Sequence, residues 1–338
     1  MLIAGNLQKR YPVVTGLRSL FSAERAKFVH AVDGVDLQVA PGEVLGLVGE
    51  SGCGKSTTGN MLVGLEPPTE GTITLGGEDL AALHRSDRRA FYRRVQMIFQ
   101  DPYGSINPSH DVQTVVSRPL VYQGVRDPGE IRRRVVSAME RVGLSPPEVY
   151  LDKHPHLLSG GQRQRLCIAR AIILEPAFLV ADEPISMLDV SIKWDIIRLL
   201  RRLVQEERLS MVYITHDLAT VPTICNRIAI MYLGRIVETG PTLEVLRNPL
   251  HPYTRALIAS IPSADPRTRR APAQIAGAVH NAIDLPPGCR FAERCPIAVP
   301  ACTTEDPRLR TVGGREVACL RAEEAVAPTA ATTREATA

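Results

Sequence analysis

The chain is 338 residues long, enough for one large domain with a smaller addition. Hydrophobic residues make up 44% and charged residues 22%, an ordinary globular balance. The net charge of +4, from 40 basic and 36 acidic residues, is too small an excess to make nucleic acid the main partner, and the arginine clusters at 88–94, 132–134 and 201–202 read as solvated helix faces.

Met1–Gln8 has no charged-then-apolar leader pattern, and no uninterrupted apolar run approaches the roughly 18 residues of a spanning helix. A soluble intracellular chain is expected, with any membrane-embedded part supplied by other chains. Glu43–Val48 is a short apolar run rich in β-formers. It ends in Gly49-Glu50-Ser51-Gly52-Cys53-Gly54-Lys55-Ser56-Thr57, and Lys55–Leu65 reads as the helix that follows. Strand, glycine loop and helix are the context that a phosphate-binding G-x-x-x-x-G-K-[ST] match requires.

From about 95 to 175 the pattern changes to helices broken by turns, at Asp127-Pro128-Gly129 and Ser145-Pro146-Pro147. This stretch carries Leu158-Ser159-Gly160-Gly161-Gln162 and reads as a helical insertion. Two further buried strands, Phe178–Ala181 and Ser210–Thr215, end in Asp182-Glu183 and His216-Asp217. Helices over Val190–Glu207 and Leu218–Ile224 alternate with them, so the expected class is α/β with a mostly parallel sheet. Ligands in such sheets bind at the carboxyl ends of the strands, where these polar residues fall. Arg227–Thr239 reads as a hairpin turning at Leu233-Gly234-Arg235. Beyond about 255 the composition shifts. Pro262–Gln274 resembles an exposed linker, and an Ala/Thr-rich end, from 323 at the earliest, is expected to be disordered.

Each motif has a chemical reason. Glycines at 49, 52 and 54 let successive N–H groups turn toward phosphate oxygens, and the helix adds its positive end. Lys55 is placed to reach β- and γ-phosphates, and Ser56 to ligate Mg²⁺. Cys53 fills a free position of the motif. Asp182, after four apolar residues, suits the metal. Glu183 beside it suits a base that takes a proton from attacking water. His216 can hydrogen-bond a γ-phosphate. Gln100 ends the apolar strand Met97-Ile98-Phe99, begins the helical insertion, and offers an amide that can touch both Mg²⁺ and the water.

Four of the seven cysteines, Cys289, Cys295, Cys302 and Cys319, crowd the end with spacing C-x5-C-x6-C-x16-C. This is not the C-x2-C pairing of a zinc ribbon. Four thiolates suit zinc or an iron–sulfur cluster, and unligated thiols or disulfides also remain possible. A small proline-rich segment has little core and needs a staple, which favours a structural role.

Taken together, the glycine loop, Leu158–Gln162 and the strand-end acids resemble the ATP-binding-cassette ATPases over about Leu7 to Ser260. The resemblance implies a P-loop cassette with a RecA-like core and an inserted helical subdomain, followed by a small cysteine-containing domain: residues 1–255, 256–322 and a tail over 323–338. It implies that ATP is sandwiched between two cassettes. Ser159, Gly160, Gly161 and Gln162 of one would meet the γ-phosphate held by the other, with Asp189 at the seam. It also implies an adenine-stacking aromatic, Tyr11, with Phe28 or His30 as substitutes because the insert Pro12–Lys27 intervenes.

Gln100–Pro108, Arg247–Thr254 and the cysteine-bearing end resemble more narrowly the ATPase subunits of oligopeptide/dipeptide importers, of the second of two types. Met187 and Ser109-His110 depart from that pattern. The resemblance implies a [4Fe–4S] cluster on the four late cysteines. It also implies a sister ATPase or second copy as partner, two permease subunits contacted near Tyr103–Asn107, and an extracytoplasmic peptide-binding protein. The chain would sit peripherally at the cytoplasmic face of the membrane. Competing readings are import of nickel or another small solute, export, and a soluble cassette ATPase outside transport. Export commonly uses fused spanning helices, and soluble cassette ATPases two cassettes or a long coiled coil; neither is present in the sequence.

Overall fold

The computed structural model describes residues 1–13, 27–261, 282–283 and 285–325. From the N-terminus run β1 (Leu2–Pro12), β2 (Phe28–Val39), β3 (Val44–Val48), α1 (Lys55–Leu62), β4 (Glu70–Leu75), β5 (Glu78–Asp79), α2 (Leu80–Ser86), α3 (Arg88–Arg94) and β6 (Val95–Ile98). Then come α4 (Val112–Tyr122), α5 (Pro128–Arg141), α6 (Gly160–Ile172), β7 (Phe178–Asp182), α7 (Val190–Glu207), β8 (Ser210–Thr215), α8 (Val221–Ile224), β9 (Arg227–Tyr232) and β10 (Arg235–Pro241). Short helices α9 (Thr242–Arg247), α10 (Pro252–Ala259) and α11 (Ala301–Thr304) precede a last hairpin, β11 (Arg310–Val312) and β12 (Arg315–Val317).

The main sheet has the order β11-β12-β10-β9-β3-β8-β7-β6, and its five strands from β9 to β6 are parallel. Every residue of β3, β7 and β8 is buried, which explains their mostly apolar runs: both faces of the sheet are covered. One face packs Leu179, Met211 and Tyr213 against Leu166, Ile172, Ile196 and Leu200 of the helices. The other packs Leu45, Leu47 and Val212 against Leu2, Leu7, Val35 and Leu37 of a second sheet, antiparallel, in the order β2-β1-β4-β5.

Several expectations shift. The helical insertion starts after Ile98 rather than at 95, because Val95–Ile98 pairs in parallel with Phe178–Ala181. Asp127-Pro128-Gly129 begins a helix instead of breaking one. The Asp127 carboxylate accepts from the N–H groups of Gly129 and Glu130 at 3.2 and 3.0 Å, and Pro128 sits in the first turn, where its missing N–H costs nothing. The helix after the glycine loop stops at Leu62, and Gly64 turns with φ +70°. The helix foreseen over Leu218–Ile224 is helical only from Val221, with Pro222 in its first turn. The end expected to be disordered from 323 starts as a 3₁₀ turn over Ala322–Ala325. Residues 14–26 of the N-terminal insert, the Pro262–Gln274 linker and the chain after 325 lie outside the described residues.

The cysteine-bearing segment joins the main sheet. Strand β12 pairs with β10 through Glu238↔Val317 and Thr239↔Glu316. Its own apolar cluster is small (Leu250, Val312, Val317 and Ala322), Phe291 inserts into the main core, and ion pairs join the two at several points. Arg290 pairs with Asp33, and Arg235 bridges Asp33 at 3.0 Å to Asp306. Glu238, with no exposure, accepts from the N–H groups of Leu250 and His251, both at 2.9 Å, and faces Arg315 at 3.5 Å. Breaking a buried pair from one side strands the other charge. Glu238→Ala is therefore expected to lower unfolding stability by about 3–5 kcal/mol, read from chemical denaturation of the full chain.

Candidate functional site

Gly49–Thr57 connects β3 to α1 at the carboxyl edge of the parallel strands. Gly54 has φ +104°, and a Cβ there would lie 2.1 Å from the Ala31 carbonyl oxygen, so no other residue fits. Ser51, Gly52 and Ser56 are exposed, while Cys53 is buried and burial pushes its thiol up. Lys55 is 5% exposed, and its Nζ donates to the Gly49 and Glu50 carbonyls, each at 2.8 Å. A desolvated ammonium needs such partners, and both can be exchanged for oxygens of an anion. The Glu50 N–H donates to Tyr253 Oη at 2.9 Å, and the Glu50 carboxylate faces Arg294.

Tyr11, near the end of β1, donates its hydroxyl to Glu66 and lies beside Thr57 of the loop; burial and Glu66 push the phenol up to about 12. Lys9 Nζ stands 5.2 Å from its ring centre. Phe28 (39% exposed) and His30 lie across from Pro12 and Arg10 on β2.

Asp182 closes β7 beside Ser56 and is 5% exposed; burial pushes its carboxyl up, against the pull of Ser56 and Lys55. Its Oδ1 has no hydrogen-bond partner in the protein. An orphaned carboxylate oxygen next to the Ser56 hydroxyl fits a hard divalent cation such as Mg²⁺. Glu183 follows with φ +42°, an uncommon conformation for a side-chain-bearing residue, held by its N–H to the Ile214 carbonyl at 2.9 Å. Its carboxylate is gripped from both sides. Gln100 Nε2 donates to Oε2 at 2.9 Å, and His216 Nδ1 lies 2.8 Å from Oε1. Gln100, Asp182, Glu183 and His216 thus come from the ends of β6, β7 and β8 to one place.

Ser159, Gly160, Gly161 and Gln162 begin α6. Ser159 is the N-cap: its Oγ accepts from Gln162 N–H at 3.3 Å, and Gln162 Oε1 accepts from Ser159 N–H at 3.0 Å. Gly160 and Gly161 pack on Leu188 and Ile192. Asp189 starts α7 with its side chain making no cap bond, between exposed Met187 (56%) and Val190 (72%).

Three contributors went unseen in the sequence. Buried Arg163 donates to the carbonyls of Pro155 and Leu158 at 2.9 and 3.1 Å and stacks 3.8 Å from the ring centre of Tyr103. Tyr253 and Arg294 reach the glycine loop from more than 200 residues away. Arg163, one residue beyond Gln162, was findable as a charge on the apolar face of α6. Nothing local signals the other two.

Residues 32–186 match the family described as "ABC transporter", and residues 237–302 match "Oligopeptide/dipeptide transporter, C-terminal region". The chain is 45% identical over 317 residues to the putative oligopeptide transport ATP-binding protein YkfD of Bacillus subtilis, covering 92% of this chain and 96% of that one. It is 40% identical to the dipeptide transport ATP-binding protein DppF of Escherichia coli, covering 96% and 95%. Among solved structures it is similar to the dimeric ATP-binding cassette MJ0796 bound to ADP and Pi (TM-score 0.61, 27% identity, 72% of this chain and 99% of that one). It is likewise similar to cbiO1 of Clostridium perfringens, part of the complex cbiONQ (TM-score 0.61, 28% identity, 73% and 90%).

The chain belongs to the ATP-binding subunits of ABC transporters, and within them it matches the oligopeptide/dipeptide-transport type. It is accordingly an ATP hydrolase that uses Mg²⁺.

The Ser159 cap can be tested apart from any chemistry. Ser159→Ala is expected to lower stability by about 1 kcal/mol, and Ser159→Asp to keep most of it, measured by urea unfolding of the full chain.

Proposed function

We propose that this chain hydrolyses ATP to energise peptide import, working with a sister ATPase or second copy and two membrane permeases fed by an extracytoplasmic peptide-binding protein. The observation that carries the ATPase chemistry is the Glu183 carboxylate, held between Gln100 and His216 beside Asp182 and the glycine loop. The peptide cargo is supported by the names of the near-full-length relatives and by the match over 237–302.

In this reading Gly49–Thr57 cradles the triphosphate. Lys55 exchanges the Gly49 and Glu50 carbonyls for β- and γ-phosphate oxygens. Ser56, Asp182 and Gln100 would hold Mg²⁺, which supplies charge neutralisation at those oxygens. Glu183 takes the proton of the attacking water. His216 orients Glu183 and meets the γ-phosphate. Tyr11 stacks on adenine.

Ser159–Gln162 at the start of α6 reaches the γ-phosphate on the other cassette, and Asp189, with exposed Met187 and Val190, lines the seam. Hydrogen bonds to charged groups contribute about 1.5–3 kcal/mol each. Turning an open dimer from 1:99 to 99:1 closed takes about 5.5 kcal/mol, so a few such bonds at two sites suffice. The MJ0796 cassette, a dimer with ADP and Pi, supports this arrangement.

The permease contact is supported by Tyr103, which is 60% exposed and stacked on Arg163, the residue that holds the carbonyl before Ser159. Two open hollows share Tyr92 and Pro119, one also lined by Tyr122 and the other by Phe99, the residue before Gln100. Among the described residues no helix is long and apolar enough to cross a membrane, which agrees with a peripheral place at the cytoplasmic face. The domain division at about 255 and 322 is part of the same reading, with β11 and β12 as an extension of the cassette sheet.

Cys289, Cys295, Cys302 and Cys319 line one small cavity with Phe291, Ile297 and Leu320. Among the described residues no group of three or more His, Cys, Asp or Glu side chains is placed to hold a metal ion, so a cluster would require the four thiols to draw together. The donors fit a [4Fe–4S] cluster in kind and number, and these four cysteines would hold it as a staple for a segment with little core. Burial pushes Cys289 up to about 11 and also raises Cys295 and Cys319, so ligation would release protons. Anaerobically purified protein is expected to carry about four irons per chain, with broad visible absorption. Stoichiometric zinc, or metal-free thiols, would remove the cluster.

For the whole function, the transporter reconstituted in vesicles is expected to take up labelled di- and oligopeptides with ATP. Glu183→Gln should bind ATP yet lose hydrolysis and uptake by at least about 100-fold. Nickel uptake without peptide uptake would overturn the cargo, and undiminished turnover in Glu183→Gln would overturn the base.

A further inference from the structure

Glu50 is the second residue of the glycine loop, and its own carbonyl holds Lys55 Nζ at 2.8 Å. A free carboxylate there opposes an incoming triphosphate. The structure supplies its counter-charge from the far end of the chain. Arg294 Nη1 lies 3.1 Å from Glu50 Oε2, and Nη2 lies 3.3 Å from Oε1. This is the two-pronged geometry in which guanidinium binds carboxylate best.

The arginine is itself fixed. It is 8% exposed, bonds Tyr232 Oη at 3.2 Å, and has the rings of Tyr232 and Phe291 within 5.7 and 5.8 Å of its guanidinium carbon. Tyr253 Oη, 2.9 Å from the Glu50 N–H, holds the backbone of the same residue. Arg290, four residues earlier, donates to the Leu233 carbonyl and to Asp33. The neighbouring Gly234 N–H bonds the Cys53 carbonyl of the loop at 2.9 Å. Both arginines fall between Cys289 and Cys295, so one short segment braces the loop from behind.

We propose that Arg294 is a positioning residue for nucleotide binding: it neutralises Glu50 and holds that carboxylate off the phosphates, so the loop meets ATP without an uncompensated negative charge. This rests on Gly49–Thr57 being the phosphate loop. Lys55→Ala, in which ATP binding must collapse, checks that reading separately.

The test is equilibrium dialysis of ATP with Mg²⁺ on the full chain, alongside KM and kcat of hydrolysis in the assembled transporter. Arg294→Ala is expected to raise Kd and KM at least about fivefold with kcat nearly unchanged. Arg294→Lys should keep most of the affinity. Adding Glu50→Gln to Arg294→Ala should restore binding to within about twofold of the unmodified chain. A purely structural arginine would not be rescued in this way.

Unchanged Kd in Arg294→Ala, or a loss that Glu50→Gln does not repair, overturns the proposal. Should Arg294→Ala not fold, the double variant Arg294→Ala with Glu50→Gln, in which neither charge is left unpaired, decides: a Kd within about twofold of the unmodified chain is expected, and weaker binding overturns the proposal.

Discussion

The phosphate loop is wedged between two backbones, and most of the molecule can be understood from that constraint. A Cβ at Gly49 would meet the Met231 carbonyl oxygen at 2.2 Å, and one at Gly54 the Ala31 oxygen at 2.1 Å. Met231 belongs to β9 of the parallel sheet and Ala31 to β2 of the antiparallel one, so the loop touches both sheets. Contact this close excludes side chains and water and leaves few ways for the N–H groups to turn aside. It also explains why Lys55 takes loop carbonyls as partners: a buried ammonium has no other solvent.

The central part of this architecture was readable from the sequence, because the parallel strands are buried on both faces. β3, β7 and β8 appear as mostly apolar runs, each followed by the residues proposed for the chemistry. The antiparallel sheet was not readable. In β1, Leu2, Ala4 and Leu7 are buried, and the register shifts between Ala4 and Leu7, where Asn6 takes φ +48°. A bulge of this kind breaks the two-residue alternation by which a half-buried strand is recognised. β6 was readable as the apolar strand before Gln100, but with only four residues its start at Val95 fell inside the expected helical insertion. The pairing of β12 with β10 depends on contacts across some 80 positions, which no local pattern records.

The same division holds within the site. Gln100, Glu183 and His216 were found because each ends a strand, and parallel strands in register deliver their ends to one edge. What the sequence does not contain is the order of contact, with one carboxylate held by an amide on one side and an imidazole on the other. That arrangement limits what Glu183 can do. Both oxygens already have partners, and the left-handed backbone at φ +42° sets the direction in which the side chain leaves the strand end. The uncommon backbone at Glu183 is held by the surrounding sheet, here through the Ile214 carbonyl on β8.

The ion pairs around the cysteine-bearing segment raise a question of magnitude. Exposed pairs contribute little, and buried ones can cost more in desolvation than they return. A segment whose apolar cluster is as small as Leu250, Val312, Val317 and Ala322 gains only modest stability from Arg290, Arg294 and Arg315. Their value lies in specifying position. Each reaches a different part of the cassette: Asp33 before the loop, Glu50 within it, and Glu238 on the strand that β12 extends. A greasy contact would tolerate sliding by a residue, whereas three charge pairs with fixed partners do not. The segment is thereby held in one register against the nucleotide loop.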